Sequence, residues 1–125
     1  MLRSVSTEVE PLVKGLSVVY LYVRDLDRSL AFYRDVLGIA LERSDEQWAE
    51  TTLGSTRFAL HAGAASEVRS GSIRLDFGVG DIDAAAARLR AAGVDVREIH
   101  REAYGSHCTF VDPDGYELEL FQPAR

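Results

Sequence analysis

Apolar and polar residues alternate along Ser17–Val23 and again along Ser72–Val79. Strand side chains point to opposite faces in turn, so this alternation predicts a strand with one face buried. Each alternating stretch runs into one with helical spacing. In the first, Leu26, Leu30, Tyr33 and Leu37 line up as one apolar stripe. In the second, Ile82, Ala86 and Leu89 do the same. Asp25 and Asp81 precede the stripes as helix N-caps, where a short carboxylate accepts unpaired backbone N–H groups of the first turn. Asp27 adds negative charge at the positive end of the helix dipole. Gly38 and Gly93 follow the stripes, where a left-handed residue stops a helix.

The two stretches superpose. Val23 falls on Val79, Asp25 on Asp81, Leu26 on Ile82 and Leu30 on Ala86. Three further strands follow each helix: Ile39–Arg43, Gln47–Leu53 and Thr56–Ala62 in the first copy, then Asp95–Ile99, His107–Val111 and Tyr116–Phe121 in the second. Gly54-Ser55 closes a tight turn, and Asp112-Pro113-Asp114-Gly115 fits a type I turn ended by a left-handed glycine. The chain thus reads as β-α-β-β-β written twice, over residues 15–62 and 72–122. The small, polar segment 63–71 links the two. Residues 1–14 are weakly patterned and read as a tail, or as an arm lying on a partner subunit. Two copies are too few for a solenoid, which needs about three. They predict one α+β domain over 15–125, two units whose curled sheets surround a cavity.

Each helix must bury its stripe on one face of its own sheet. The most apolar strand faces are expected under the helices: Val19/Leu21/Val23, Phe58/Leu60, Ile73/Leu75/Phe77/Val79 and Leu118/Leu120. The opposite faces then carry Val18, Tyr20 and Tyr22; Arg57, Ala59 and His61; Arg74 and Asp76; Glu117, Glu119 and Phe121. Such a face is either wetted or the wall of a ligand cavity, built of rings and a few placed polar groups. Aromatic rings suit a wet surface poorly, which favours the cavity. Trp48 on the middle strands adds a stacking surface for a flat ligand or a cap.

Composition narrows the partners. The 125 residues carry a net charge of −6, which makes nucleic acid and anionic membrane poor partners. No apolar run approaches the roughly 20 residues of a membrane span, and the first residues lack the apolar core of a signal peptide. Cys108 is the single cysteine, so no intrachain disulfide forms. A cytoplasmic protein is the expectation.

The segments VRDLDRSLAFYRDVLG and DPDGYELEL, with their paired spacing, resemble the vicinal oxygen chelate superfamily. It includes glyoxalase I, extradiol dioxygenases, and bleomycin- and fosfomycin-resistance proteins. The resemblance covers Leu16 to Gln122 and implies the glyoxalase/bleomycin-resistance fold. It also implies a homodimer, in some members with units exchanged or sheets completed between chains. It does not fix an activity, because this fold hosts lyases, oxygenases, epoxide-opening enzymes and drug-binding proteins. Metal-dependent members place ligands on four strands. By position these fall on Val18, near Ala59, on Arg74 and on Glu119. Valine and alanine cannot bind a metal, and arginine stays protonated and repels one. The resemblance therefore implies a member without a divalent site and without a cofactor.

On this reading Arg74 and Glu119 pair where the metal would sit. Arg74 then holds an anionic or carbonyl oxygen of a ligand by a forked hydrogen bond. Tyr20, Tyr22, Trp48, Arg57, His61, Asp76 and Phe121 are the expected ligand-binding residues around the pair. His61 could stand in for a missing ligand or act as an acid/base near neutral pH. Of the strand neighbours His107 and Cys108 only one can face the cavity, and no motif activates Cys108 as a nucleophile. The expected function is metal-independent binding of a small organic molecule. One alternative is a lyase or isomerase, with Glu119 as the catalytic base and Arg74 stabilising an enolate oxygen. Another is a metal-dependent glyoxalase or dioxygenase with an atypical site built on His61 and Glu119.

Overall fold

The computed structural model describes residues 16–71 and 74–125. The expected tail or arm at 1–14, and Ser72 and Ile73 of the expected fifth strand, lie outside the described residues. The first unit holds β1 (Val19–Tyr22), α1 (Leu26–Leu30), β2 (Glu42–Arg43), β3 (Trp48–Leu53) and β4 (Thr56–His61). The second holds β5 (Asp76–Gly78), α2 (Ile82–Ala91), β6 (His100–Glu102), β7 (Gly105–Val111) and β8 (Glu117–Pro123). Both units build a four-stranded sheet in one order, β1-β4-β3-β2 and β5-β8-β7-β6. The first and last strands of each run parallel and the other pairs antiparallel. The α+β class with two curled sheets is the one the sequence predicts. Both predicted caps form: Asp25 accepts from Arg28 N at 3.1 Å and Asp81 from Ala84 N at 3.0 Å.

Four elements depart from expectation. Of the expected strand Ser72–Val79, β5 takes only Asp76–Gly78, and Arg74 and Leu75 precede the regular ladder. After Leu30 the first helix widens into a π-turn over Ala31–Val36, with Leu37 N donating to Phe32 O. The wider turn brings two sequence neighbours, Phe32 and Tyr33, into the core together, and leaves Leu37 only partly buried. β2 covers only the end of the expected Ile39–Arg43, because a tight bond from Leu41 N to Ile39 O bends the chain there. The expected strand Asp95–Ile99 is an irregular run: Val96 bridges Phe110, and Arg97 N donates to Thr109 O, but the regular ladder begins at His100. The apolar positions 94, 96 and 99 lose their alternation at the same place.

The predicted buried faces lie inward in part: Leu21, Leu75, Phe77 and Val79 are half-buried against the core, and Ile73 lies outside the described residues. Val23, Phe58, Leu60, Leu118 and Leu120 are buried together with Leu26, Leu30, Tyr33, Ile82, Ala86 and Leu89. Ring contacts Tyr33–Phe58, Phe58–Phe77, Phe77–Phe110 and Phe32–Phe110 carry this core from one unit into the other. The Asp-Pro-Asp-Gly turn fastens the seam. Buried Asp112 accepts the Tyr33 hydroxyl at 2.6 Å and the N–H groups of Asp114 and Tyr116, each at 2.8 Å. Asp114, its side chain fully buried, accepts from Arg28 at 2.8 Å and Arg24 at 3.2 Å. Burial pushes the Tyr33 hydroxyl well above its ordinary value and raises Asp112 as well. Among the described residues no helix is long and apolar enough to cross a membrane.

Candidate functional site

With the apolar strand faces turned to the helices, the opposite faces present two clusters, one per sheet. In the first sheet the register sets Tyr22 opposite His61, and His61 opposite Trp48. Tyr20, two residues before Tyr22, shares their face. Ring centroids are 5.4 Å apart for Tyr20–Tyr22, 5.5 Å for Tyr20–Trp48, and 5.5 Å from His61 to both Tyr22 and Trp48. Tyr20 is 41% exposed, so this is an open aromatic platform rather than core. One oxygen of Glu50 accepts from Trp48 Nε1 and from Arg57, each at 2.7 Å, which orients the indole. Those two bonds hold the Glu50 carboxyl below its ordinary range. His61 Nδ1 is buried without a hydrogen-bond partner among the described residues.

In the second sheet the register sets Asp76 opposite Glu119, Glu119 opposite Thr109, and Phe121 opposite His107. Burial raises the Asp76 carboxyl; the charge of Glu119 and a hydrogen bond shared with it push in the same direction, while His107 opposes them. His107 Nδ1 lies 3.5 Å from Glu119 Oε2, and its Nε2 3.7 Å from Glu102 Oε2. Tyr104 lies nearly parallel to both His107 and Phe121, with centroids 6.2 Å away in each case. Asp76, Tyr104, His107, Glu119 and Phe121 line an open pocket of about 240 Å³. A second cavity, of about 370 Å³, lies between β1 and the start of β8, with Tyr20, Tyr22, Arg69 and Glu117 among its walls. No hydrogen bond, ion pair or ring contact among the described residues joins the aromatic cluster to the acidic one.

The expected Arg74–Glu119 pair does not form. Arg74 donates to Glu117 at 2.9 Å and to Thr109 Oγ1 at 3.2 Å, and Arg97 takes the other Glu117 oxygen at 2.8 Å. The reason is register: because Asp76 lies opposite Glu119, Arg74 two residues earlier lies level with Glu117. Arg57 is likewise engaged, by Glu50. The sequence-predicted residues Tyr20, Tyr22, Trp48 and His61 are brought together, as are Asp76, Glu119 and Phe121. Glu50, Tyr104 and His107 join them; the sequence marked His107 only as one of two strand neighbours. Cys108, the other, is 1% exposed in the core, where burial raises its thiol.

The four positions that would hold a metal do not make a ligand set. Ala59 is wholly buried and has no donor, Arg74 is bound to Glu117, and only Glu119 offers a carboxylate. Among the described residues no three His, Cys, Asp or Glu side chains gather closely enough to hold an ion.

Comparison with known proteins places this geometry. A "Probable lactoylglutathione lyase" of Vibrio parahaemolyticus is 31% identical over 118 residues, 82% of this chain and 86% of that protein. The metallothiol transferase FosB of Shouchella clausii is 30% identical over 117 residues, 87% of this chain and 80% of that protein. Among solved structures, TnmS3, an antibiotic binding protein from Streptomyces sp. CB03234, superposes with a TM-score of 0.78 at 25% identity, over 92% of this chain and 100% of that one. Residues 15–120 match the family description as a whole, and the chain belongs to the Glyoxalase/Bleomycin resistance protein/Dioxygenase superfamily.

Proposed function

We propose that the protein is a metal-independent binding member of its superfamily, which takes up a small organic molecule against the concave faces of its sheets. The observation that carries this reading is the platform of Tyr20, Tyr22, Trp48 and His61, four touching rings on a partly open sheet face. Rings in that setting give a flat ligand a large contact area at small entropic cost. The lack of a ligand set at the four metal positions, and the likeness to an antibiotic binding protein over that protein's full length, support it.

The site is a shared one on this reading. β1 and β5 are edge strands in their sheets. A second copy of the chain pairing at those edges would cover them and bring the aromatic face of one chain toward the acidic face of the other. Trp48 is the only tryptophan, so its fluorescence reports on the platform directly. The expected result is a dimer by light scattering, substoichiometric divalent metal by elemental analysis, and saturable Trp48 quenching by flat organic compounds. Stoichiometric metal bound through Glu119, or no quenching across a broad compound set, would overturn the proposal.

A second reading, an enzyme of the lyase or isomerase type, draws on the Asp76–Glu119–His107 contact, where two ionisable side chains lie beside Glu119. Arg74 is not beside it to stabilise an enolate. Solvent deuterium entering a bound carbonyl compound next to its carbonyl, and lost in Glu119→Gln, would favour that reading.

A further inference from the structure

We propose that the pocket of the second sheet holds the positively charged end of the ligand, an organic ammonium group, with Asp76 and Glu119 as its counter-ions. This deepens the binding function proposed above and rests on it. The charges on the two concave faces are used differently. Glu50 is paired with Arg57, and Glu117 with both Arg74 and Arg97. Arg74 and Arg97 are thus both committed to Glu117. Asp76 and Glu119 stand side by side in register, with no lysine or arginine within ion-pair distance among the described residues.

Two adjacent carboxylates repel one another, and sharing a proton relieves that repulsion. A cation between them relieves it better. His107 supplies that charge only when protonated, and its Nδ1 is already 3.5 Å from Glu119. The walls decide what kind of cation fits. Tyr104 and Phe121 line the pocket, and an aromatic wall attracts a soft organic ammonium. A metal ion is disfavoured, since no three donors gather here. The volume of about 240 Å³ is below the roughly 300–1,000 Å³ of a pocket for a whole drug-sized ligand. It suits an aminoalkyl arm whose remainder lies outside.

The test uses three probes of one shape: 3-phenylpropylamine, 3-phenylpropanol and 3-phenylpropionate. Affinities are read from amide shifts of the full chain by NMR near neutral pH. The amine is expected to bind about tenfold more tightly than the alcohol, and the carboxylate to bind weakest. The amine's shifts should centre on residues 76, 107 and 119. Asp76→Asn with Glu119→Gln should erase the preference for the amine over the alcohol. Tyr104→Ser, at an exposed rim position that does not threaten folding, should weaken the amine more than the alcohol. Equal affinities, or preference for the carboxylate, would overturn the ammonium assignment while leaving ligand binding intact. Failure of all three probes while flat compounds still quench Trp48 would overturn the pocket assignment alone; failure together with no quenching across the compound set would overturn both.

Discussion

The two sheets share a backbone plan and differ in what fills it. By register, Tyr20 and Ala59 of the first sheet occupy the places of Asp76 and Glu119 in the second. Trp48, Glu50 and His61 occupy those of His107, Thr109 and Phe121. In the first set the one acid, Glu50, is neutralised by Arg57 and steadies Trp48. In the second, two acids face one another and Arg74 and Arg97 are engaged elsewhere. The lesson is that duplication of β-α-β-β-β fixes which positions reach the concave face, and the side chains set at those positions then decide whether that face suits rings or charge.

The comparison requires the two units to behave as one body, and the largest expected effect comes from breaking the seam. Asp112→Ala leaves the Tyr33 hydroxyl and the N–H groups of Asp114 and Tyr116 without their buried acceptor. Unsatisfied buried groups cost about 1–3 kcal/mol each, so urea unfolding should show a loss of about 3 kcal/mol or more in a single transition. Tyr33→Phe removes one bond and should cost about 1–2 kcal/mol. Two separate transitions in either variant would mean that the units fold independently.

Next in size is Gly105→Ala. Gly105 has φ +151°, and an added Cβ would lie 2.5 Å from Gln122 O and 2.8 Å from the Phe121 ring. A loss of about 1–3 kcal/mol is expected, with Phe121 pushed toward the acidic pocket and weaker amine binding. Gly80→Ala, whose Cβ meets nothing within 4 Å, is the control and should change stability by less than about 0.5 kcal/mol. Equal effects would mean that Phe121 does not rest on Gly105.

The pH dependence of amine binding sharpens the contrast further. The raised Asp76 carboxyl keeps its proton above the ordinary aspartate range, so below its folded value the amine must displace that proton. Affinity for 3-phenylpropylamine should therefore rise with pH through the raised value and then level off. Glu119 on β8, His107 on β7, and Glu102 and His100 on β6 face the same region. For the unliganded protein the sign is opposite: a raised carboxyl contributes stability below its unfolded value, and that contribution fades as pH rises through the folded one. Thermal stabilisation by the amine should accordingly grow with pH, and Asp76→Asn should flatten both curves. A pH-independent amine affinity in the wild-type protein would remove Asp76 from the site.

Much of this architecture was legible from periodicity. The alternation at 17–23, the stripes with their Asp caps, and the Asp-Pro-Asp-Gly turn gave the units and the faces, because burial imposes those periods directly. Phe32 was not legible: a π-turn inserts one residue, and a regular helical period cannot register it. The site was half legible for a related reason. Period two names the face correctly, so Tyr20, Trp48, Asp76 and Glu119 fall where expected. It does not say which residues on neighbouring strands stand level, and a shift of two moved Arg74 from Glu119 to Glu117. Nor could it show that Glu50 and Glu117 take up the arginines, since that depends on contacts across strands.

Arg74→Met is the smallest effect expected and the sharpest test of that register. Arg74 and Glu117 are both partly exposed, with side chains 40% and 37% accessible. Such pairs contribute about 0–1 kcal/mol, and Arg97 remains to hold Glu117, so stability should change by less than about 1 kcal/mol. Had Arg74 been the anchor for a ligand oxygen, its loss would abolish binding of a carboxylate or carbonyl probe. With Arg74 level with Glu117 instead, its loss removes one positive charge near the acidic pocket. Amine affinity should then stay the same or tighten by no more than about threefold, and 3-phenylpropionate should bind no worse than about twofold. The same NMR titrations used for the three probes read all of this. A large loss of carboxylate affinity in Arg74→Met would place an anion site on the second sheet and reverse the contrast between the two faces.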